Sequence, residues 1–173
     1  EEAYALQGRD DQPGEAGGDA VGRSFPHLIG DREAGPGRRY VRALERSPFH
    51  DELVVELALE ALRNEGLGRG DQPDILIVGL SATDRIGHAW GPNSHEIMDA
   101  IVRLDRLLAR LFDALDAEIG LENAVVALTA DHGVAPLPEL IRELRPGDGA
   151  MRLHPDTVIA AAEAALDSAY GAH

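Results

Sequence analysis

Ile75-Leu76-Ile77-Val78-Gly79-Leu80-Ser81-Ala82-Thr83-Asp84-Arg85-Ile86-Gly87-His88 is the stretch on which the reading of the fold turns. Its first six residues form a short, continuous apolar run rich in branched side chains, entered from a polar, glycine-containing loop at Gly66 to Pro73. Such a run suits a strand buried on both faces, as in a parallel sheet. Ser81 to Asn93 then reads as a loop leaving the C-terminal end of that strand. A second run of the same kind, Ala124-Val125-Val126-Ala127-Leu128-Thr129, leads directly into Ala130-Asp131-His132-Gly133.

Helical patterns flank both runs. A short helix is predicted from about Arg38 to Glu45, and Ser47-Pro48 opens a longer one in which Leu53, Leu57, Ala61 and Leu62 recur at helical spacing, with Gly66 as a left-handed stop. Between the two runs, Ile97, Ile101, Leu104, Leu108, Leu111, Leu115 and Ile119 fall at steps of three or four. Asn93 with Glu96 three residues on predicts a capping box, and Gly120 ends the helix. Beyond them, Pro138 to Leu144 predicts a short helix, Arg145 to Ala150 a turn, and Asp156 to Ala169 a further helix. Helix, strand, helix, strand is the order of an α/β protein, here a mostly parallel sheet flanked by helices. Residues 1–37, rich in Gly, Asp, Glu and Pro, read as a loop-rich or poorly ordered insertion anchored at Phe25-Pro26-His27-Leu28; residues 38–173 carry the α/β core.

Composition removes several functions. The 173 residues hold 31 Asp plus Glu against 16 basic residues, all arginine, for a formal net charge of −15, and no cysteine. An acidic chain repels phosphodiester backbones, so no nucleic acid is expected along a basic face. No run approaches the ~20 apolar residues of a membrane span. Without lysine the chain has no Schiff base and no phosphate-clamping ammonium. No signal peptide is expected within the chain as it opens, Glu1-Glu2-Ala3-Tyr4, and one removed by processing stays open.

The chemistry concentrates at the two apolar runs. Asp84 and His88, four residues apart, follow the first, and Asp131-His132 follow the second. In open α/β sheets catalytic groups gather outside the carboxyl ends of the strands, so the two Asp/His pairs are expected to converge. Aspartate oxygen and histidine nitrogen are normal zinc ligands and suit other divalent first-row metals. Gly133 and Gly87 permit the tight bends that would aim the side chains. Two pairs imply either one four-coordinate ion or two ions each lacking partners; periodicity leaves both open. Taken singly, each pair reads equally well as an Asx turn and a surface histidine. His27, His50, His95, His154 and His173 are assigned no ligand role.

At these residues the chain resembles the alkaline phosphatase superfamily, most closely its single-chain bacterial phosphate-monoesterase branch, related to nucleotide pyrophosphatase/phosphodiesterases. The resemblance runs through Ser81 to His88, Gly91-Pro92-Asn93-Ser94, Arg103-Leu104-Asp105 and Leu128 to Ala135, with weaker similarity at Ser47-Pro48-Phe49 and Phe25-Pro26-His27. It implies that Asp84 and His88 bind a first zinc and Asp131 and His132 a second, the pair of ions clamping an in-line displacement at phosphorus. It also implies a Thr or Ser nucleophile, a covalent phospho-enzyme, phosphate monoesters as substrates, and a periplasmic or secreted location.

The family further requires an upstream aspartate, the nucleophile itself and a downstream histidine; no catalytic nucleophile is identifiable here, and His154 and His173 fall too early to be that histidine. The chain is therefore expected to be an internal fragment, inactive alone and a weak zinc binder. The alternatives are a phosphodiesterase or nucleotide pyrophosphatase of the same superfamily, or a non-catalytic α/β binding module.

Overall fold

The computed structural model describes residues 9–15, 21–30 and 35–171. Among these residues six α-helices stand in order: α1 (Arg38–Glu45), α2 (Phe49–Asn64), α3 (Ala82–Trp90), α4 (His95–Ile119), α5 (Pro138–Leu144) and α6 (Pro155–Tyr170), with a 3-10 turn at Leu121–Asn123 after α4. The chain divides into two compact units, Glu1–Pro136 and Leu137–His173.

In the first unit α4 is the spine. Its N-terminal half packs on α3 and its C-terminal half on α2, producing two apolar clusters. One gathers Ala82, Ile86, Ala89, Trp90 and Ala100, with Val21 and Ile97 against it. The other gathers Val55, Leu59, Leu107 and Leu111, with Leu80, Ala114 and Leu115 against it. Burying a large side chain of this kind contributes about 1.5–3 kcal/mol, so the two clusters fix the α2–α4–α3 arrangement. Ser94 starts α4: its hydroxyl accepts from Ile97 N at 3.2 Å. The cap is thus Ser94 and not the expected Asn93, and Glu96 is released from a capping box to do something else. Gly120 ends α4 at φ +77°, and Gly66 follows α2 at φ +65°; both take the left-handed region that glycine enters without penalty.

The helical stripes are rotated from those expected. In α2 the buried face is Val55, Ala58, Leu59 and Leu62, while Leu53 and Leu57 are exposed. In α4 it is Ala100, Leu107 and Leu111, while Ile101 is exposed. Ala58 and Ala100 take interior positions while the larger Leu53, Leu57 and Ile101 of the same helices are left outside.

No parallel sheet forms among the described residues. Among the described residues no β-strand forms; residues 73–80 and 124–130 are extended but unpaired. Ile75 is 84% exposed, Ile77 88% and Val125 100%, the reverse of strands buried on both faces. The physical reason is the lack of ladder partners: an apolar run becomes a buried strand only when neighbours supply both hydrogen bonds and a covering layer, and the helices here pack on one another. Ser81–Asn93, expected as a loop, is mostly α3. Ala82, Ile86 and Ala89/Trp90 recur at steps of three or four and bury one face, which is a helical period.

The second unit holds α5 and α6. Pro138 and Pro155 each occupy the first helical turn, where the missing N–H costs nothing. The Arg152 guanidinium donates to both Glu139 carboxylate oxygens, at 3.0 and 2.9 Å, and each group is stabilised in its charged form by the other. Of the segment 1–37, the described part contains no helix, and His27 turns inward while Phe25 and Leu28 are 46% and 75% exposed.

Candidate functional site

The geometry of the site begins in α2. Asp51 is 2% exposed, and its Oδ1 accepts the backbone N–H of Ala82, the first residue of α3, at 3.0 Å. The residue preceding α3, Ser81, makes no side-chain cap, so a carboxylate from another helix caps it instead. A negative group at this end also suits the helix dipole. His50 Nδ1 lies 3.1 Å from the same Oδ1.

So held, α3 turns its apolar face inward and carries Asp84 and His88 on the outside, one turn apart. His88 Nε2 is 3.4 Å from Asp84 Oδ1. The tight bend expected at Gly87 does not occur, because Gly87 is a helical residue. Its bare Cα does something else: a Cβ there would stand 3.8 Å from the Val134 side chain and 3.9 Å from that of Ile97. Val134 thus settles over Gly87 and brings the extended segment carrying Asp131 and His132 down onto α3.

The result is that His132 Nε2 lies 3.6 Å from Asp84 Oδ1, so Asp84 faces two imidazoles arriving from different segments. Asp131 stays farther out. Its Oδ2 is 3.7 Å from His132 Nε2, its side chain is 89% exposed, and its Oδ1 accepts the His132 backbone N–H at 3.1 Å. His132 Nδ1 sits 2.9 Å from the Gly133 carbonyl; that contact requires an N–H at Nδ1, which in the neutral ring leaves a lone pair at Nε2. The bond to Gly133, followed by the charge of Asp131, raises the His132 pKa from its ordinary value.

Asp84 Oδ1 is shielded from solvent and has no hydrogen-bond donor. A carboxylate oxygen facing an imidazole lone pair is two acceptors face to face, an arrangement that calls for a cation between them, whether a proton or a metal ion. Atoms sharing one tetrahedral zinc at bonds of ~2.1 Å stand roughly 3.4 Å apart, close to the spacing around Asp84. Among the described residues no group of three or more His, Asp or Glu side chains is disposed to hold a metal ion. Asp84, His88 and His132 thus offer the atom types of a divalent-ion site without forming one by themselves.

A second polar cluster lies behind α3, and the sequence did not reveal it. His27 Nε2 is 2.7 Å from Glu96 Oε1, and its Nδ1 is 3.0 Å from the Val21 carbonyl. The two side chains are 12% and 4% exposed. Burial alone would lower the His27 pKa, but the hydrogen bonds to Glu96 and Val21 outweigh it and the net shift is upward. Glu15, 4% exposed, is pushed up to about 7 by burial and by the neighbouring charges of Glu96, Asp11 and Asp10. The sequence signal was there in Glu96, a carboxylate on the side of α4 facing the apolar Trp90 region. Of the other histidines, His50 pairs with Asp51, His95 Nδ1 lies 4.0 Å from Asp10, and His154 caps α6 by accepting from Asp156 N at 3.4 Å. His173 lies outside the described residues.

Comparison with known proteins finds similarity along most of the chain. The family model described as type I phosphodiesterase / nucleotide pyrophosphatase matches residues 23–164. The chain is 38% identical to alkaline phosphatase PhoV of Synechococcus elongatus over 124 residues, covering 72% of this chain and 22% of that protein. It is 40% identical to alkaline phosphatase PafA of Elizabethkingia meningoseptica over 114 residues, 65% of this chain and 20% of that one. The crystal structure of wild-type alkaline phosphatase PafA superimposes with a TM-score of 0.77 at 31% identity, over 95% of this chain and 30% of that chain. The segment thus spans about a fifth of the curated relatives it matches. With a family model matched over most of its length, the chain belongs to the type I phosphodiesterase / nucleotide pyrophosphatase family, within the alkaline phosphatase superfamily.

Proposed function

We propose that the protein to which this segment belongs is a zinc-dependent phosphoric ester hydrolase acting on phosphate monoesters, outside the cytoplasmic membrane, and that the segment supplies Asp84, His88, Asp131 and His132 as metal ligands. The observation that carries this reading is the shielded, donorless Asp84 Oδ1 with the imidazoles of His88 and His132 at 3.4 and 3.6 Å. Bound there, divalent ions would supply the positive charge that a phosphoryl group needs and that a chain of net charge −15 otherwise lacks.

The chain's own residues have definite parts in this. Asp51 orients α3 through the Ala82 N–H and so sets where Asp84 and His88 point. The Gly133 carbonyl accepts a hydrogen bond from His132 Nδ1–H and thereby keeps Nε2 turned toward Asp84, the role that outer hydrogen bonds commonly play for ligating histidines. The nucleophile and the remaining ligands come from outside these residues. The isolated 173-residue chain is accordingly expected to show no turnover and to hold zinc weakly, with two ligands per ion where three or four are usual.

Phosphodiester hydrolysis is the second reading. It is favoured by the name of the matching family model and by 37% identity over 76 residues to venom phosphodiesterase 2 of Crotalus adamanteus.

The test is turnover by the complete polypeptide with zinc, using one chromogenic phosphate monoester and one diester, alongside Asp84→Ala and Asp131→Ala. Loss of both activities in both variants, with secondary structure retained, is the expected result. The preferred ester decides between the readings. Undiminished hydrolysis in either variant would sink the assignment, as would robust turnover by the 173-residue chain sink its predicted inactivity.

A further inference from the structure

Residues 9–15 and 21–30 are tied to each other and rest on α3 and α4. The Phe25 N–H donates to Asp10 Oδ2 at 2.7 Å. The Arg23 guanidinium donates to the Gln12 carbonyl at 3.0 Å and pairs with Asp11 at 2.6 Å, so the two pieces form one strap. Val21 packs on the apolar cluster that holds Trp90, and the His27 ring lies 5.0 Å from the Trp90 ring, centre to centre. Trp90, the one tryptophan of the chain, is 1% exposed.

The strap reaches α4 through His27, and both ring nitrogens meet acceptors: the Val21 carbonyl lies 3.0 Å from Nδ1 and Glu96 Oε1 2.7 Å from Nε2. A neutral imidazole has one N–H and one lone pair. Both contacts are hydrogen bonds only when one further proton is present, on the ring or on Glu96. The surroundings are short of donors too: Glu96 Oε2, Glu15 Oε2 and Asp10 Oδ1 are sealed from water without one. From α4 the other charged or titratable groups are His95, 4.0 Å from Asp10, and the Asp99–Arg103 pair at 2.8 Å. Arg46, after α1, lines the same cleft, and α3 gives it only Ile86 and Trp90, neither of which titrates. The strap itself brings Asp10, Asp11, Glu15 and Arg23.

We propose that protons latch this strap: in mild acid the doubly bonded His27 clamps it to Glu96 over Trp90, and loss of the shared proton above neutrality lets it leave the helices. Deprotonation sets acceptor against acceptor at Nε2 and adds negative charge beside the sealed carboxylates, so the clamp fails at both points. The titration runs the required way. Burial lowers the His27 pKa, yet the bonds to Glu96 and Val21 leave it raised from its ordinary 6.5, and burial, then the charges of Glu96, Asp11 and Asp10, push Glu15 up to about 7. Both groups hold protons more tightly with the strap docked, so docking weakens by up to about tenfold per pH unit for each proton released. For Glu15 that loss runs from its ordinary 4.5 to about 7, and for His27 upward from 6.5. Buried histidine clusters serve as pH sensors in this way.

The single tryptophan makes the latch visible. Between about pH 5 and about pH 8.5 the Trp90 emission of the 173-residue chain is expected to shift to the red, and its quenching by acrylamide to rise about twofold or more, with the far-UV circular dichroism of the helices unchanged. Glu96→Gln combined with Glu15→Gln gives the clamp a permanent donor, since the Gln amide donates to the lone pair of neutral His27 while Nδ1–H still donates to Val21. That variant is expected to keep the acid values of emission and quenching throughout. Constant emission and quenching in the unmodified chain overturn the proposal, as does a change that comes only with loss of helical signal. A folded variant that responds like the unmodified chain overturns it equally. No turnover is measured, so the outcome is independent of the proposed hydrolase.

Discussion

The Asp51 carboxylate, rooted in the first turn of α2, caps α3 through the N–H of Ala82, 31 residues away in sequence. One buried acid thereby joins the scaffold to the helix that carries two of the four candidate ligands. A hydrogen bond to a buried charged group contributes about 1.5–3 kcal/mol. Asp51→Ala is therefore expected to destabilise the first unit by about that much, read as a lower urea midpoint, while Asp51→Asn, which retains an acceptor oxygen, recovers part of it. An Asp51→Ala midpoint equal to that of the unmodified chain would remove the cap from the account of how α3 is placed.

The His27–Glu96–Glu15 cluster predicts a pH dependence of stability. Glu15, raised to about 7, binds its proton more tightly folded than unfolded, so folding loses stability as pH climbs from its ordinary 4.5 through about 7. His27 is also raised; its contribution is complete below its unfolded value and is lost as pH rises through the folded one. Both act in the same direction. The denaturation midpoint is expected to be higher at about pH 5.5 than at about pH 8, with the difference reduced in Glu15→Gln. A midpoint that rises with pH over this range would contradict both assignments.

Ser94 supplies the side-chain cap of α4, the helix on which both apolar clusters rest. Ser94→Ala is expected to cost about 1 kcal/mol, and Ser94→Asp to be nearly neutral. Asn93→Ala, the residue that the sequence pattern favoured, is expected to change stability by less than about 0.5 kcal/mol. Thermal melts of the three variants decide it.

Local signals carried most of the helices. Proline at Pro138 and Pro155 and glycine at Gly66 and Gly120 set boundaries through backbone chemistry that needs no tertiary information. What local pattern could not supply was which apolar residues would find partners. Ile75, Ile77 and Val125 have the composition of buried strands and stand exposed, whereas α3 looked like a loop because Thr83, Asp84 and Gly87 dilute its helical period. The Asp/His pairs could be picked out in the sequence, and the structure sets His88 and His132 at 3.4 and 3.6 Å from Asp84 while Asp131 stays farther out. The His27–Glu96 contact could not be picked out, since it joins residues 69 positions apart across a turn-rich segment with no period to follow.

The two bare apolar ribbons, residues 75–80 and 124–128, make the colloidal behaviour of this segment a contest between stickiness and repulsion. Each exposes extended backbone whose N–H and C=O groups are free to pair with a second chain, and only the net charge of −15 holds copies apart. Salt weakens that protection, since the screening length falls from ~30 Å at 0.01 M to ~8 Å at 0.15 M. Light scattering is thus expected to grow with ionic strength at constant protein concentration, and Ile77→Lys with Val125→Lys to suppress it. The segment is then kept dispersed by the same acidity that, under the proposed function, bound cations would have to offset before a phosphate could approach.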